Sequence, residues 1–142
     1  MPDAPPAKPP TTVSLVWQHA LVFGGQSRKI ELTLDSAGVE GPSPVQALAF
    51  ALAGCMAMDV VHVLTKGRCA LRGLRLDLTG QRAPTDPHRF TDISLHFTIT
   101  GDVQTSRIDR AIKLSREKYC SVWHSMRQDI PLTVTYTVSP GV

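Results

Sequence analysis

A chain of 142 residues is long enough for one domain with a proper hydrophobic core. Its net charge is +3 and it contains no basic run, so the composition does not indicate nucleic-acid binding. The first segment, MPDAPPAKPPTT, lacks the charged and apolar regions of a secretory signal, and its prolines predict a disordered tail over residues 1–12. We therefore expect a cytoplasmic protein with reduced thiols and a single domain over residues 13–142.

Three strands are predicted after this tail. Residues 12–17 (TVSLVW) and 30–35 (IELTLD) alternate between apolar and polar side chains, as half-buried strands do. Between them lie the apolar residues 21–23, and the glycine pair at 24–25 predicts a turn after that segment. Together the three segments predict a β-meander, and residues 36–42 predict a loop.

Residues 43–66, SPVQALAFALAGCMAMDVVHVLTK, predict one long helix. Ser43 suits the N-cap, Pro44 suits the first helical position, and Gly67 follows the last residue. The apolar residues lie on every side of this helix rather than along one stripe, which is typical of a buried helix.

A membrane span is the main alternative for this helix, because its apolar run has about the required length. Gln46, Asp59 and His62 lie within the run, and a charge near a bilayer centre costs at least about 2.5 kcal/mol. We therefore expect the buried helix of a protein with no membrane segment.

The rest of the chain predicts an α+β fold with the element order β-β-β-α-β-β-α-β. The predicted elements are a strand at residues 74–79, a hairpin loop at 82–91, a strand at 93–100, a helix capped by Ser106 and ending near Lys118, a break at 119–121, a short helical turn through Met126 and a strand at 132–138.

Three cysteines are the candidate reactive groups: Cys55, Cys69 and Cys120. Their spacing contains no C-x-x-C pair and no zinc-like cluster, so we predict no metal site. Cys55 lies in the middle of the apolar helix, where a cysteine alone is most simply a core residue. Cys120 follows several cationic residues, which either favour its thiolate or form a solvated face. Cys69 is expected to be structural.

Two segments together resemble the OsmC/Ohr family of osmotically inducible and organic-hydroperoxide-resistance proteins. They are GPSPVQALAFALAGCMAMDVV at residues 41–61 and AIKLSREKYCSV at residues 111–122, and residues 80–87 add a G-x-R-A-x-x-x-P pattern. The resemblance covers most of the chain after residue 12. It implies an OsmC-like α+β domain over residues 13–142 and an intertwined homodimer, in which the long cysteine-bearing helices lie at the centre.

The resemblance also implies a thiol-dependent peroxidase that reduces organic hydroperoxides in oxidative and osmotic stress defence. By this match Cys55 attacks the peroxide as a thiolate and becomes a sulfenic acid, and Cys120 resolves it to a disulfide. An external dithiol, of lipoyl type in the better-known branch, then reduces the disulfide. No bound cofactor is expected.

Three further residues are candidates to activate the Cys55 thiolate: Arg28, Gln46 and Glu117. Ohr proteins carry an arginine directly after Gly-Gly, where this chain has Gln26, and Arg28 is the nearest arginine. Gln46 stands near the position of a family glutamate, and Glu117 is a candidate to orient an arginine. Because a helix midpoint has no free N–H groups, we expect a cation from elsewhere in the dimer to activate Cys55.

Two alternatives to a peroxidase stay open at the level of the sequence. The departures from the Ohr pattern favour a non-catalytic binding protein of the same fold, with a fatty-acyl or other hydrophobic ligand. A thiol redox sensor or disulfide carrier would use the same two cysteines without fast turnover. Asp59, one helical turn after Cys55, would raise the thiol pKa unless a cation such as His62 offsets its charge.

Overall fold

A computed structural model describes residues 4–141 of the chain. The chain forms two compact units, Met1–Ala47 and Leu48–Val142. Residues 4–13 are exposed and form no helix or strand, while the first three residues of the predicted tail lie outside the described residues. The tail and the single domain over residues 13–142 stay predictions.

The first unit contains the predicted β-meander, with β1 (Ser14–His19), β2 (Val22–Ser27) and β3 (Ile30–Asp35) paired antiparallel in that order. The predicted turn at residues 24–25 is wrong, because both glycines lie inside β2.

The glycines of β2 make room for cross-strand neighbours rather than for a turn. A Cβ on Gly24 would lie 2.7 Å from the Gln18 side chain, and one on Gly25 would lie 3.0 Å from the Leu32 carbonyl oxygen. The chain reverses after β2 at Arg28, whose φ of 54° is in the left-handed region. Every residue of β1 is exposed, so the prediction of a half-buried first strand is also wrong for the chain by itself.

Helix α1 (Pro44–Lys66) confirms the central prediction, including its N-cap. The Gln46 N–H donates to Ser43 Oγ at 3.2 Å, and the Ser43 N–H donates to Gln46 Oε1 at 2.9 Å, which forms a capping box. The role of Gln46 that the structure shows is therefore to begin the helix.

The chain by itself buries only part of the surface of α1. A stripe at i, i+4 spacing is fully buried: Leu52, Met56, Val60 and Leu64. Phe50 and Met58, in contrast, are 72% and 73% exposed. By length and composition, α1 is also long and apolar enough to cross a membrane, so the absence of a span stays a prediction.

The second unit is built on the sheet β4 (Ala70–Arg82), β5 (Phe90–Asp102) and β6 (Leu132–Ser139), in that order. β4 and β5 pair antiparallel, and β5 and β6 pair parallel. β4 and β5 are both longer than predicted. Register shifts near their two ends break the alternation of side chains without ending the pairing, so the alternation pattern stops before the strands do.

Three short helical segments lie between β5 and β6: α2 (Thr105–Leu114), a π-helical turn (Ser115–Tyr119) and α3 (Ser121–His124). The N-cap of α2 is Gln104 rather than the predicted Ser106, and α2 begins one residue earlier than that serine. The predicted break is observed at Cys120, whose backbone is extended.

The core of the second unit brings the α1 stripe together with one face of β5 and with the segment that carries Cys120. Its fully buried members from the sheet and the short helices include Phe97, Ile108, Ala111 and Cys120. This packing holds Cys120 against the core cluster, and Cys55 of α1 packs against the same cluster.

Candidate functional site

The structure brings Cys55 and Cys120 together with Asp59. The two sulfur atoms and a carboxylate oxygen of Asp59 all lie within 4.8 Å of one another. Cys55 and Asp59 lie one turn apart on the same face of α1. Cys120 lies between the π-helical turn and α3. Because a disulfide requires an S–S distance of about 2.05 Å, the sulfurs need to approach further before they can bond.

The two thiols differ in their access to solvent. Cys120 is fully buried, whereas Cys55 is only partly buried. Of the two residues, Cys55 is therefore the more accessible to a molecule from solvent.

The environment of Cys55 favours its thiolate. Burial raises the pKa of Cys55, and the charge of Asp59 acts in the same direction. Hydrogen bonds from the Val122 N–H, the Cys120 thiol and the Ser121 hydroxyl lower this pKa and outweigh both effects. The pKa of Cys55 therefore lies below its ordinary value. The Cys55 sulfur lies 3.9 Å from Ser121 Oγ.

The donors of Cys55 are not N–H groups of its own helix, and the expectation that a cation from elsewhere in the dimer activates Cys55 stays a prediction. The midpoint of α1 offers none, but residues 121–122 belong to the first turn of α3, where backbone N–H groups are not used within the helix. The hydrogen-bond donors therefore come from a second helix.

The pKa of Cys120 is shifted in the opposite direction. Burial, together with the hydrogen bond to Cys55 and the charges of Cys55 and Asp59, raises its pKa to about 11, although the Trp123 N–H, 3.3 Å from the sulfur, acts to lower it. Of the two interpretations left open for the cations near Cys120, the raised pKa of its thiol does not indicate a favoured thiolate. Arg116 and Lys118 are exposed, as expected for a solvated face.

Asp59 is oriented by a buried serine. Ser115 Oγ donates to Asp59 Oδ2 at 2.8 Å, and Ser115 is fully buried. Among residues 4–141 no ion pair includes Asp59, and His62, proposed to offset its charge, is exposed. The carboxylate therefore lies beside the two sulfurs with one hydrogen bond and, among the described residues, in no ion pair.

A surface pocket of about 550 Å³ opens beside Asp59. Its lining is mixed, with cationic, acidic and apolar side chains: Asp59, His62, Val63, Lys66, Gly67, Arg110, Leu114 and Tyr119. Neither cysteine lines it. The lysine and the arginine suit a molecule that carries both an anionic group and an apolar part.

The three predicted activating residues lie as follows. Arg28 occupies the turn after β2, where its carbonyl oxygen accepts a hydrogen bond from the Gln26 side chain at 3.0 Å. Gln46 closes the capping box of α1. Glu117 is exposed in the π-helical turn and lines a second surface pocket. Their activating roles stay predictions.

Three site residues are not predicted from the sequence: Ser115, Ser121 and Val122. Their positions in the sequence could have indicated them, because Ser121 and Val122 directly follow Cys120 and Ser115 lies about one turn before it. Within residues 4–141, Cys55, Asp59 and Cys120 also form a group of side chains that could hold a metal ion.

Comparison with known proteins shows what this chain is similar to. The sequence model of the family described as OsmC-like protein matches residues 35–135. Protein YhfA of Escherichia coli strain K12 is 38% identical over 125 residues, which cover 86% of this chain and 93% of YhfA.

Two solved structures also match. A hypothetical protein from Aquifex aeolicus VF5 aligns with a TM-score of 0.85 and 26% identity, over 93% of this chain and 98% of that one. An organic hydroperoxide resistance protein OsmC from Legionella pneumophila aligns with a TM-score of 0.70 and 16% identity, over 94% of this chain and 100% of that one. The second likeness concerns the fold alone.

Proposed function

Because this chain belongs to the OsmC-like protein family, as the paired cysteine segments predicted, we propose that it is a thiol-dependent peroxidase for organic hydroperoxides. The observation that carries the proposal is the proximity of Cys55 and Cys120, whose sulfurs lie within 4.8 Å. Their unequal environments support the assignment of Cys55 as the attacking thiolate and Cys120 as the resolving thiol.

In the first step, the Cys55 thiolate attacks one oxygen of the hydroperoxide. An S–O bond forms, the O–O bond breaks, and the alkoxide leaves and takes up a proton to become an alcohol. Cys55 is oxidised to a sulfenic acid as the peroxide is reduced.

In the second step, the sulfur of Cys120 attacks the sulfur of the sulfenic acid. The S–S bond forms, the S–O bond breaks, and the hydroxide combines with the Cys120 proton to leave as water. The negative charge of Cys55, one cause of the raised pKa of Cys120, is lost in the first step. Cys120 is therefore easier to ionise once it is needed. An external dithiol supplies the two electrons and two protons that restore both thiols.

The proposed assembly is a homodimer. Phe50 and Met58 of α1 are large exposed apolar residues, and so are Val16 and Trp17 of β1, which are 68% and 65% exposed. Surfaces of this kind commonly mark protein interfaces. Sedimentation of the reduced protein as a single-chain species would contradict this assembly.

The mixed pocket beside Asp59 is the observation that favours a second candidate function, a binding protein of the same fold. Its Lys66 and Arg110 suit an amphipathic anion such as a fatty acid better than an uncharged hydrophobic ligand. A redox sensor is the third candidate, and it differs from the peroxidase only in its rate of turnover.

Turnover in the presence of a dithiol tests the peroxidase directly. Reduced protein, cumene hydroperoxide and excess dithiothreitol should give cumyl alcohol well beyond one equivalent per chain. The control is the same protein with its thiols blocked by iodoacetamide. A rate that does not exceed that of dithiothreitol and blocked protein would contradict the proposal.

A further inference from the structure

Cys55, Asp59 and Cys120 form a set of metal ligands, and the peroxidase chemistry requires only the two cysteines of this set. Two thiols and a carboxylate are ligand types that Zn²⁺ prefers. In a tetrahedral zinc site, with Zn–S near 2.3 Å and Zn–O near 2.1 Å, ligand atoms lie about 3.5–3.8 Å apart. The three atoms here already lie within 4.8 Å of one another, so a shift of about 1 Å completes the geometry.

The ligands are held by structure that does not depend on a metal. Cys55 and Asp59 project from the same face of α1, and Cys120 is fixed by the Trp123 N–H at 3.3 Å. Ser115, fully buried, donates to Asp59 Oδ2 at 2.8 Å and leaves the other carboxylate oxygen without a hydrogen bond among the described residues. Hydrogen bonds of this kind orient the ligands of metal sites.

The charge of Asp59 gives an independent reason to expect a cation. The carboxylate lies within 4.8 Å of both sulfurs, and no ion pair includes it within residues 4–141. A carboxylate so close to a thiolate is repelled by it, and a peroxidase gains nothing from that repulsion. A divalent cation bound between them would convert the repulsion into attraction.

From this geometry we propose that the reduced protein binds a thiophilic divalent cation, Zn²⁺ being the cellular example, through Cys55, Asp59 and Cys120. Binding releases the remaining thiol protons and leaves the fourth position of the metal to water or another small ligand. The inference goes beyond the proposed peroxidase and does not require Cys55 to react with peroxide. Because a Cys55–Cys120 disulfide would remove both sulfur ligands, metal binding and disulfide formation exclude each other.

Chelator competition on the reduced full-length protein tests the site with Zn²⁺ alone. We expect one Zn²⁺ per chain with a dissociation constant on the order of 10⁻⁷ M or tighter. Asp59→Asn, which keeps the shape of the side chain, should weaken binding at least about tenfold, and Ser115→Ala should weaken it about 10- to 100-fold. Cys69→Ser is the matched control, because it removes a cysteine outside the cluster, and it should bind as the wild type does.

Replacement of Zn²⁺ by Co²⁺ identifies the ligands. Thiolate-to-cobalt charge transfer should appear in the near ultraviolet, weaken in Cys55→Ser and in Cys120→Ser, and persist in Cys69→Ser. Thermal unfolding of each variant without metal shows whether it is folded.

Three results would overturn the inference: no bound Zn²⁺ in the reduced wild type, equal affinity in wild type and Asp59→Asn, or loss of binding in Cys69→Ser. The metal-free turnover assay separates the two proposals, because either one can fail while the other stands.

Discussion

Cys55→Ser is expected to lower hydroperoxide turnover by a factor on the order of 10⁴ or more. A serine hydroxyl does not ionise near neutral pH and does not form the oxidised intermediate that a cysteine forms. The hydrogen bonds that favour the Cys55 thiolate, from Val122, Cys120 and Ser121, would then act on a group that stays neutral. Cumyl alcohol formation with excess dithiothreitol measures the loss.

Cys69→Ser is the matched control for this variant. Cys69 is also partly buried and packs against the core, but it does not belong to the cluster with Cys55, Asp59 and Cys120. We expect its turnover to match that of the wild type. If Cys55→Ser keeps more than about a tenth of the wild-type rate, roughly 1.4 kcal/mol of lost transition-state stabilisation, Cys55 is not the nucleophile.

Cys120→Ser is expected to stop the reaction at the sulfenic acid of Cys55. One equivalent of cumene hydroperoxide should add one oxygen atom per chain, and dimedone should trap the oxidised sulfur on the Cys55 peptide. The fold should persist with a change in stability of about 1 kcal/mol or less, because serine also caps helices well and Cys120 is the N-cap of α3.

The intact mass of the treated variant and a dimedone-labelled peptide map measure this outcome. Fast formation of an intramolecular disulfide in Cys120→Ser would show that another thiol resolves Cys55. A Cys55 that stays reduced, with wild type oxidised under the same conditions, would show that Cys120 acts in the first step instead.

The sequence predicted the elements of the fold better than their ends. The capping pattern at Ser43 and the apolar run placed α1 correctly, because both signals are local. The strands β4 and β5 were predicted too short, since the register shifts that interrupt alternation are maintained by cross-strand pairing, which the sequence does not display. A glycine pair predicts a turn from sequence, but the glycines of β2 make room for cross-strand neighbours, which a sequence does not display.

The sequence also did not predict which surface covers the apolar sides of α1. An apolar residue pattern predicts that a helix is covered, but it does not identify what covers it. The chain alone covers the stripe from Leu52 to Leu64 and leaves Phe50 and Met58 exposed.

At the candidate site, the two cysteines were found through the family resemblance rather than from their spacing. The donors of the hydrogen bonds to Cys55 could not be predicted, because Val122 and Ser121 are distant from Cys55 in the sequence and lie beside it only in the folded chain. The same packing places buried Ser115 on Asp59. It also buries Cys120, which raises the pKa of its thiol.

The most direct test of the central claim follows the thiols of reduced wild-type protein after one equivalent of cumene hydroperoxide. We predict that two thiols per chain disappear within seconds, that the intact mass falls by two hydrogen atoms, and that a disulfide joins the Cys55 peptide to the Cys120 peptide. Survival of both thiols, or a disulfide that excludes Cys55, would contradict the assignment of these cysteines as a redox pair.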